Sequence, residues 1–202
     1  MNIHQEILAK SEQNGHVCLY QHLKNVADTA RVMAKHLGFD EQIAVEGALL
    51  HDIGKVSPVF QQSLISPNKK KKPGAVFRHE IASLFFLSLV CQEHRDAVID
   101  MIVAHHKSMY KDVRDLGILD LDDTSDCFKE HSKLFPEWSH IAIDILESLG
   151  MKTHKITLEE AEENYEYVID YCDSRKKGCS EWRGLLMAAD HMASAMETAF
   201  EM

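Results

Sequence analysis

Histidine and aspartate interrupt apolar helix-forming sequence at four short stretches: His51-Asp52 in ALLHDIGK, His79 in RHEIAS, His105-His106 in AHH, and Asp190 in ADHMAS. His22 adds a fifth place. Each group sits at helical spacing from apolar neighbours: Asp52 four after Ala48, His79 three before Ala82, His106 three after Val103, His22 four before Val26, Asp190 four after Leu186 and three before Ala193. Such spacing turns polar side chains toward the apolar side of a helix. A buried carboxylate without a partner costs several kcal/mol, so groups of this kind are paired, hydrogen-bonded or bound to metal. With 13 histidines in 202 residues, neither dipeptide is informative alone, and a single inward histidine is more often a satisfied core residue. Many such groups on five segments are satisfied together only by a shared hub, and mixed N/O donors suit first-row transition metals. Adjacent helix residues point about 100° apart, so His51 can take one ion while the two oxygens of Asp52 bridge a pair about 3.5–4 Å apart.

The elements that must position these groups read as helices nearly throughout. Leu19, Leu23, Val26, Ala30, Met33 and Leu37 recur at three and four, and Gly38 supplies a stop. A second helix is expected from Glu41 to Asp52. Ser57-Pro58 resembles an N-cap with proline in the first turn of a short helix through Leu64. Further helices are expected near 78–92, 95–107, 136–149, 157–176 and 180–200, the fourth of these opening on a Thr157–Glu160 capping box. In the last, Trp182, Leu185, Leu186, Ala189, Ala193, Met196 and Phe200 form an apolar stripe beside Asp190. Residues 108–135 read as a long surface excursion. No alternating β-branched run, repeat or low-complexity linker occurs, and the expected fold is all-α in one domain spanning 1–202.

Composition narrows the function classes. Apolar content of 45% over 202 residues supports one sizeable core. Five cysteines lack CxxC spacing, the N-terminus lacks the apolar core of a secretory signal, and the longest apolar stretch, ASLFFLSLVC, is about half of what spans a bilayer. The expectation is a cytoplasmic protein with free thiols and no membrane partner. A net charge of −10 argues against a general phosphate-backbone binder. Of the local basic stretches, Lys69 to Lys72 read more readily as a solvated loop than as a nucleic-acid contact, and Lys107, Lys111 and Arg114 read equally well as a solvated loop or as strand guides.

Taken in order, His22, LLHDIGK with VFQ, RHEIAS, AHH and ADHMAS resemble the HD nuclease domain of the CRISPR-associated type I helicase-nuclease family, over residues 16 to 200. The resemblance implies an all-helical HD-domain bundle with a dinuclear metal site that cleaves single-stranded DNA in antiviral defence. It implies one divalent ion on His22, His51, Asp52 and Asp190, a second on Asp52, His79, His105 and His106, and Lys55 as a positive charge facing the scissile phosphate. Asp52 and Lys55 are then the catalytic pair. The metal is Mn, Fe, Co, Ni or Zn, since all accept these donors. Lys107 stands where the family often has Gly, and His191 where it often has an aromatic residue. Both alter the rim of the site without removing a ligand.

The chemistry so implied is metal-assisted phosphodiester hydrolysis with no protein nucleophile. No G-x-x-x-x-G-K-[ST] phosphate loop is present, so a helicase subunit, or a fused helicase domain, must come from elsewhere, and the resemblance implies a CRISPR RNA-guided surveillance complex as a further partner. Two alternatives stay open. An HD-type phosphohydrolase of nucleotides or cyclic dinucleotides would need fewer ligands in the first case and a Gly-Tyr-Pro signature, absent here, in the second. A non-catalytic helical module would not need every ligand position filled.

Overall fold

The computed structural model describes residues 6–10, 16–65, 77–103, 105–106, 117–122, 127–175 and 180–199. Among them are ten α-helices and no strand beyond an isolated antiparallel bridge between Leu8 and Cys18. The all-α expectation holds.

Helix α1, Leu19–Leu37, buries Leu19, Leu23, Val26, Ala27, Ala30 and Ala34, and His22 lies within this stripe. Each large apolar side chain removed from water contributes about 1.5–3 kcal/mol, so the stripe fixes which way His22 points. Gly38 ends the helix in the left-handed region at φ 77°, and the Asp40 carboxylate then accepts from the N–H groups of Gln42 and Ile43 to start α2, Glu41–Leu50. Helix α1 packs on α2 and on α10, Glu181–Ala199, while α5, Gln92–Ile102, packs on α2 and α10. These four helices enclose the polar residues singled out by sequence. Behind them Phe85, Phe86, Phe135 and Trp138 interlock, with ring centroids 5.0–5.8 Å apart.

Several expected boundaries move. Helix α2 stops at Leu50 rather than Asp52, and Ile53–Val56 continue as a 3-10 turn. The helix expected over 78–92 is only α4, His79–Leu84, followed by a 3-10 turn at Leu87–Leu89. Every residue from 80 to 87 is buried, so this stretch threads the core instead of lying against it on one face. Helix α5 ends at Ile102, leaving His105 and His106 beyond it. The short helix α3, Pro58–Ile65, forms as expected, but the Ser57 hydroxyl is buried without a hydrogen-bond partner and does not cap it. Thr157 does cap α9, Leu158–Ser174, yet the Glu160 carboxylate accepts from His154 and Ser88 instead of closing the box. Where described, the 108–135 excursion contains α6, Ile118–Asp122, and α7, Cys127–His131, with Ile118 and Cys127 buried. Helix α8, Phe135–Ser148, follows. On α10 Met196 is 46% exposed and Glu197 is buried in its stead, while Phe200 lies outside the described residues.

One contact carries the HDIGK turn onto α4. Gly54 N–H donates to Ser83 Oγ at 2.9 Å, and the same hydroxyl donates to the His51 carbonyl at 3.0 Å. A Cβ at position 54 would lie 2.7 Å from the Ser83 nitrogen and 2.9 Å from the Ala82 Cβ, and closer still to the His79 carbonyl oxygen. These obstacles are largely backbone. At Gly47, by contrast, a Cβ would meet the flexible thioether end of Met101. We therefore expect Gly54→Ala to destabilise the fold by about 1–3 kcal/mol or more, and Gly47→Ala by less, in urea unfolding monitored by circular dichroism. Equal stability of the two variants would refute the close-approach role of Gly54.

Candidate metal centre

Six of the seven expected ligands gather around Asp52. His22 comes from α1, His51 and Asp52 from the turn after α2, His79 from the first residue of α4, and His105 and His106 from the bend after α5. Asp52, at 1% exposure, divides its oxygens between two sets. Oδ2 lies 3.2 Å from His22 Nε2 and 3.3 Å from His51 Nε2; Oδ1 lies 2.9 Å from His79 Nε2 and 3.6 Å from His105 Nε2. Two groups follow, each with its donor atoms within 4.8 Å of one another: His22, His51 and Asp52, and Asp52, His79, His105 and His106.

Asp190 stands beside the first group rather than within it. Its Oδ1 is 3.5 Å from His22 Nε2 and accepts from the Ser194 hydroxyl at 3.3 Å, and 15% of its side chain is exposed. His106 is the most exposed member of the set, with its ring 4.1 Å from that of His105 and 5.1 Å from that of His79.

The donor atoms converge without bonding one another. His51 Nε2, His79 Nε2, His105 Nε2 and Asp52 Oδ1 are all buried and none has a partner with hydrogen-bond geometry, even where the separation is short. Four orphaned atoms in one place are costly unless something else occupies their lone pairs. The opposite ring nitrogens say how the imidazoles are turned. Nδ1 of His51 lies 2.6 Å from the Ala48 carbonyl and Nδ1 of His105 lies 2.6 Å from the Ile102 carbonyl, so each ring donates a proton there and turns its Nε2 inward. That arrangement orients metal-binding histidines. The residues present fit a divalent cation.

Asp52 governs the electrostatics of the cluster. Burial alone would raise the Asp52 carboxyl, but His51, Lys55 and His79 around it hold it well below the usual carboxylate range. Burial lowers His22, yet hydrogen bonding to Asp52 and Glu197 outweighs it and raises the ring to about 9. For His79 burial prevails over the attraction of Asp52 and the pKa falls. Desolvation and the neighbouring His105 push His106 down to about 3. The cluster thus holds one ionised carboxylate among basic groups; burial lowers His105 as well, but its contact with Asp52 outweighs this and raises it.

Lys55 is buried, with its Nζ 2.6 Å from Asp52 Oδ2 and 5.8 Å from the centre of the Phe60 ring. Its charge is directed at the carboxylate. Sequence reasoning missed two supporting groups. Glu80, paired through Oε1 with Arg78 at 2.6 Å, is held down to about 2 despite burial, with His79 and Arg78 as the opposing charges. Glu197 receives His22 Nδ1 at 3.1 Å. The available signal was spacing, since Glu197 is seven residues, two helical turns, after Asp190. The basic residues Lys69 to Lys72, Lys107, Lys111 and Arg114 lie outside the described residues.

The HD domain family model matches residues 19–173. No curated protein and no solved structure matches the chain. Among the described residues no helix is long and apolar enough to cross a membrane.

If Asp52 serves both groups, Asp52→Ala is expected to remove metal binding altogether while the helical circular dichroism persists, as read by elemental analysis of dialysed protein. Retained metal at the wild-type level would end the shared-carboxylate reading, and collapse of the helical signal would make Asp52 a structural ion-pair residue.

Proposed function

The chain belongs to the HD domain family, and on that premise we propose that its metal-dependent phosphohydrolase chemistry is directed at phosphodiester bonds of single-stranded DNA. The observation that carries this reading is the division of Asp52: one carboxylate with an oxygen in each of two donor groups. A mononuclear nucleotidase would need only the first group and Asp190, which leaves His79, His105 and His106 without a task. Filled positions in both groups favour a two-ion centre, the kind suited to clamping the attacking and leaving oxygens of a phosphodiester.

In this reading His22, His51, Asp52 and Asp190 hold one divalent ion and Asp52, His79, His105 and His106 the other. Bound divalent ions supply Lewis acidity toward the phosphate and lower the pKa of water. The protein's own contribution is arrangement. Asp52 remains ionised, His51 and His105 turn their Nε2 atoms inward, and Phe60 and the apolar walls of α2 and α5 exclude bulk water from the buried side. Lys55 supplies a fixed positive charge beside Asp52, placed to offset negative charge gathering on a phosphate. His106, the most exposed ligand, marks the side from which a phosphodiester would arrive.

A single strand suits such a concave centre because one phosphodiester must reach both ions and a flexible backbone can bend in. A duplex, stiff over many base pairs, cannot do so without unwinding. That requirement calls for a helicase to deliver the strand, and the resemblance to the CRISPR-associated nuclease family adds an RNA-guided surveillance complex to expose it, in the cytoplasm. With a transition metal such as Mn²⁺, we expect cleavage of circular single-stranded DNA and sparing of the matching duplex, with elemental analysis giving two ions per chain. Hydrolysis of nucleoside triphosphates or cyclic dinucleotides with the circle left intact would falsify the nuclease reading in favour of a nucleotide phosphohydrolase.

A further inference from the structure

For His22 Nε2 to act as a ligand its proton must reside on Nδ1, and a buried Nδ1–H needs an acceptor. His51 and His105 meet this need with backbone carbonyls, at 2.6 Å each. His22 meets it with a carboxylate: Glu197 Oε1 lies 3.1 Å and Oε2 3.3 Å from Nδ1, from a residue 175 positions away on α10. Glu197 is itself held on every side. Lys10 Nζ donates to Oε2 at 2.8 Å, Asn25 Nδ2 donates to Oε1 at 3.0 Å, and only 5% of the side chain meets solvent. A carboxylate so enclosed cannot swing away to water.

We propose that Glu197 is a positioning residue for the metal centre: it fixes the tautomer and the orientation of His22 and makes this imidazole the strongest donor of the first group. A carboxylate behind a histidine raises the basicity of the ring more than a neutral carbonyl does, and loss of such a partner typically costs about 10–100-fold in metal affinity. The two donor groups are therefore unequal. The first depends on Glu197 behind His22, the second does not, and Lys10 feeds into that difference from the segment before α1. The inference rests on the metal-centre reading, and its test separates the two.

Co²⁺ is titrated into the full chain and followed by visible absorption, with elemental analysis for stoichiometry, in wild type, Glu197→Ala, Glu197→Gln, Lys10→Met, His22→Ala and His79→Ala. Glu197→Ala is expected to weaken one ion about 10–100-fold and to leave the other as in wild type, so that its spectrum resembles His22→Ala and not His79→Ala. Glu197→Gln, whose amide oxygen still accepts from Nδ1–H, should recover part of the loss, and Lys10→Met should show a smaller one. Should the alanine variant fail to fold, the glutamine and Lys10 variants carry the same comparison. Wild-type affinity for both ions in Glu197→Ala, equal loss of both, or no recovery with glutamine would overturn the role of Glu197. Absence of any bound ion in the wild type would instead overturn the metal centre, and this inference with it.

Discussion

A single carboxylate sealed among four imidazoles and an ammonium sets the terms for the rest of this molecule. Asp52 cannot be neutral there, because the surrounding groups hold its pKa down, and it cannot be solvated, because it is almost wholly enclosed. Removing such a charge from water costs several kcal/mol, which only close and well-aimed partners repay. Each neighbouring element is accordingly built to aim something at it. The apolar stripe of α1 aims His22, the Gly54–Ser83 contact brings α4 and His79 against the HDIGK turn, and the end of α5 delivers His105 with its proton already committed to the Ile102 carbonyl.

Support for the site reaches well beyond its ligands. Gln61, the glutamine of the VFQ stretch, donates to the Lys55 carbonyl at 2.7 Å and to the Leu8 carbonyl at 2.9 Å, and accepts from Leu8 N–H at 3.0 Å. It imitates a strand partner for Leu8 while pinning the turn that carries Lys55. His131 plays a similar part for α4: Nδ1 lies 2.8 Å from the Cys127 carbonyl and Nε2 accepts from Arg78 N–H at 3.0 Å, one residue before His79. Burial keeps this ring neutral and hence able to accept. The result is a centre whose first layer is flexible in chemistry but whose backbone is held at each entry point.

What the amino-acid sequence made legible follows the range of the forces involved. Helix α1 was readable in its stripe from Leu19 to Ala30 and in its stop at Gly38, which are local signals, whereas Leu37, counted in the same stripe, is 61% exposed. The ligand set was readable as a pattern, because charged and imidazole groups at apolar positions have few physical explanations. The end of α2 was not. Leu50 to Lys55 continue a helical pattern, and only the distant backbone of α4, which a side chain at Gly54 would strike, requires a 3-10 turn instead. Glu197 escaped for a related reason. Met196 fits the stripe of α10 by composition, and nothing within α10 announces that the neighbouring acid faces a histidine on α1. The long reading over 78–92 failed because a run of apolar residues signals burial without signalling helix.

The pairing of α1 with α10 has a temporal side. His22, His51 and Asp52 leave the ribosome early, whereas Asp190 and the acceptor of the His22 proton belong to a helix made far later, and chains emerge at about 5–20 residues per second. For that interval the nascent chain carries an incomplete cradle in which the His22 ring is free to take either tautomer. Docking of α10 is then both a late folding step and the step that turns the ring into a committed donor.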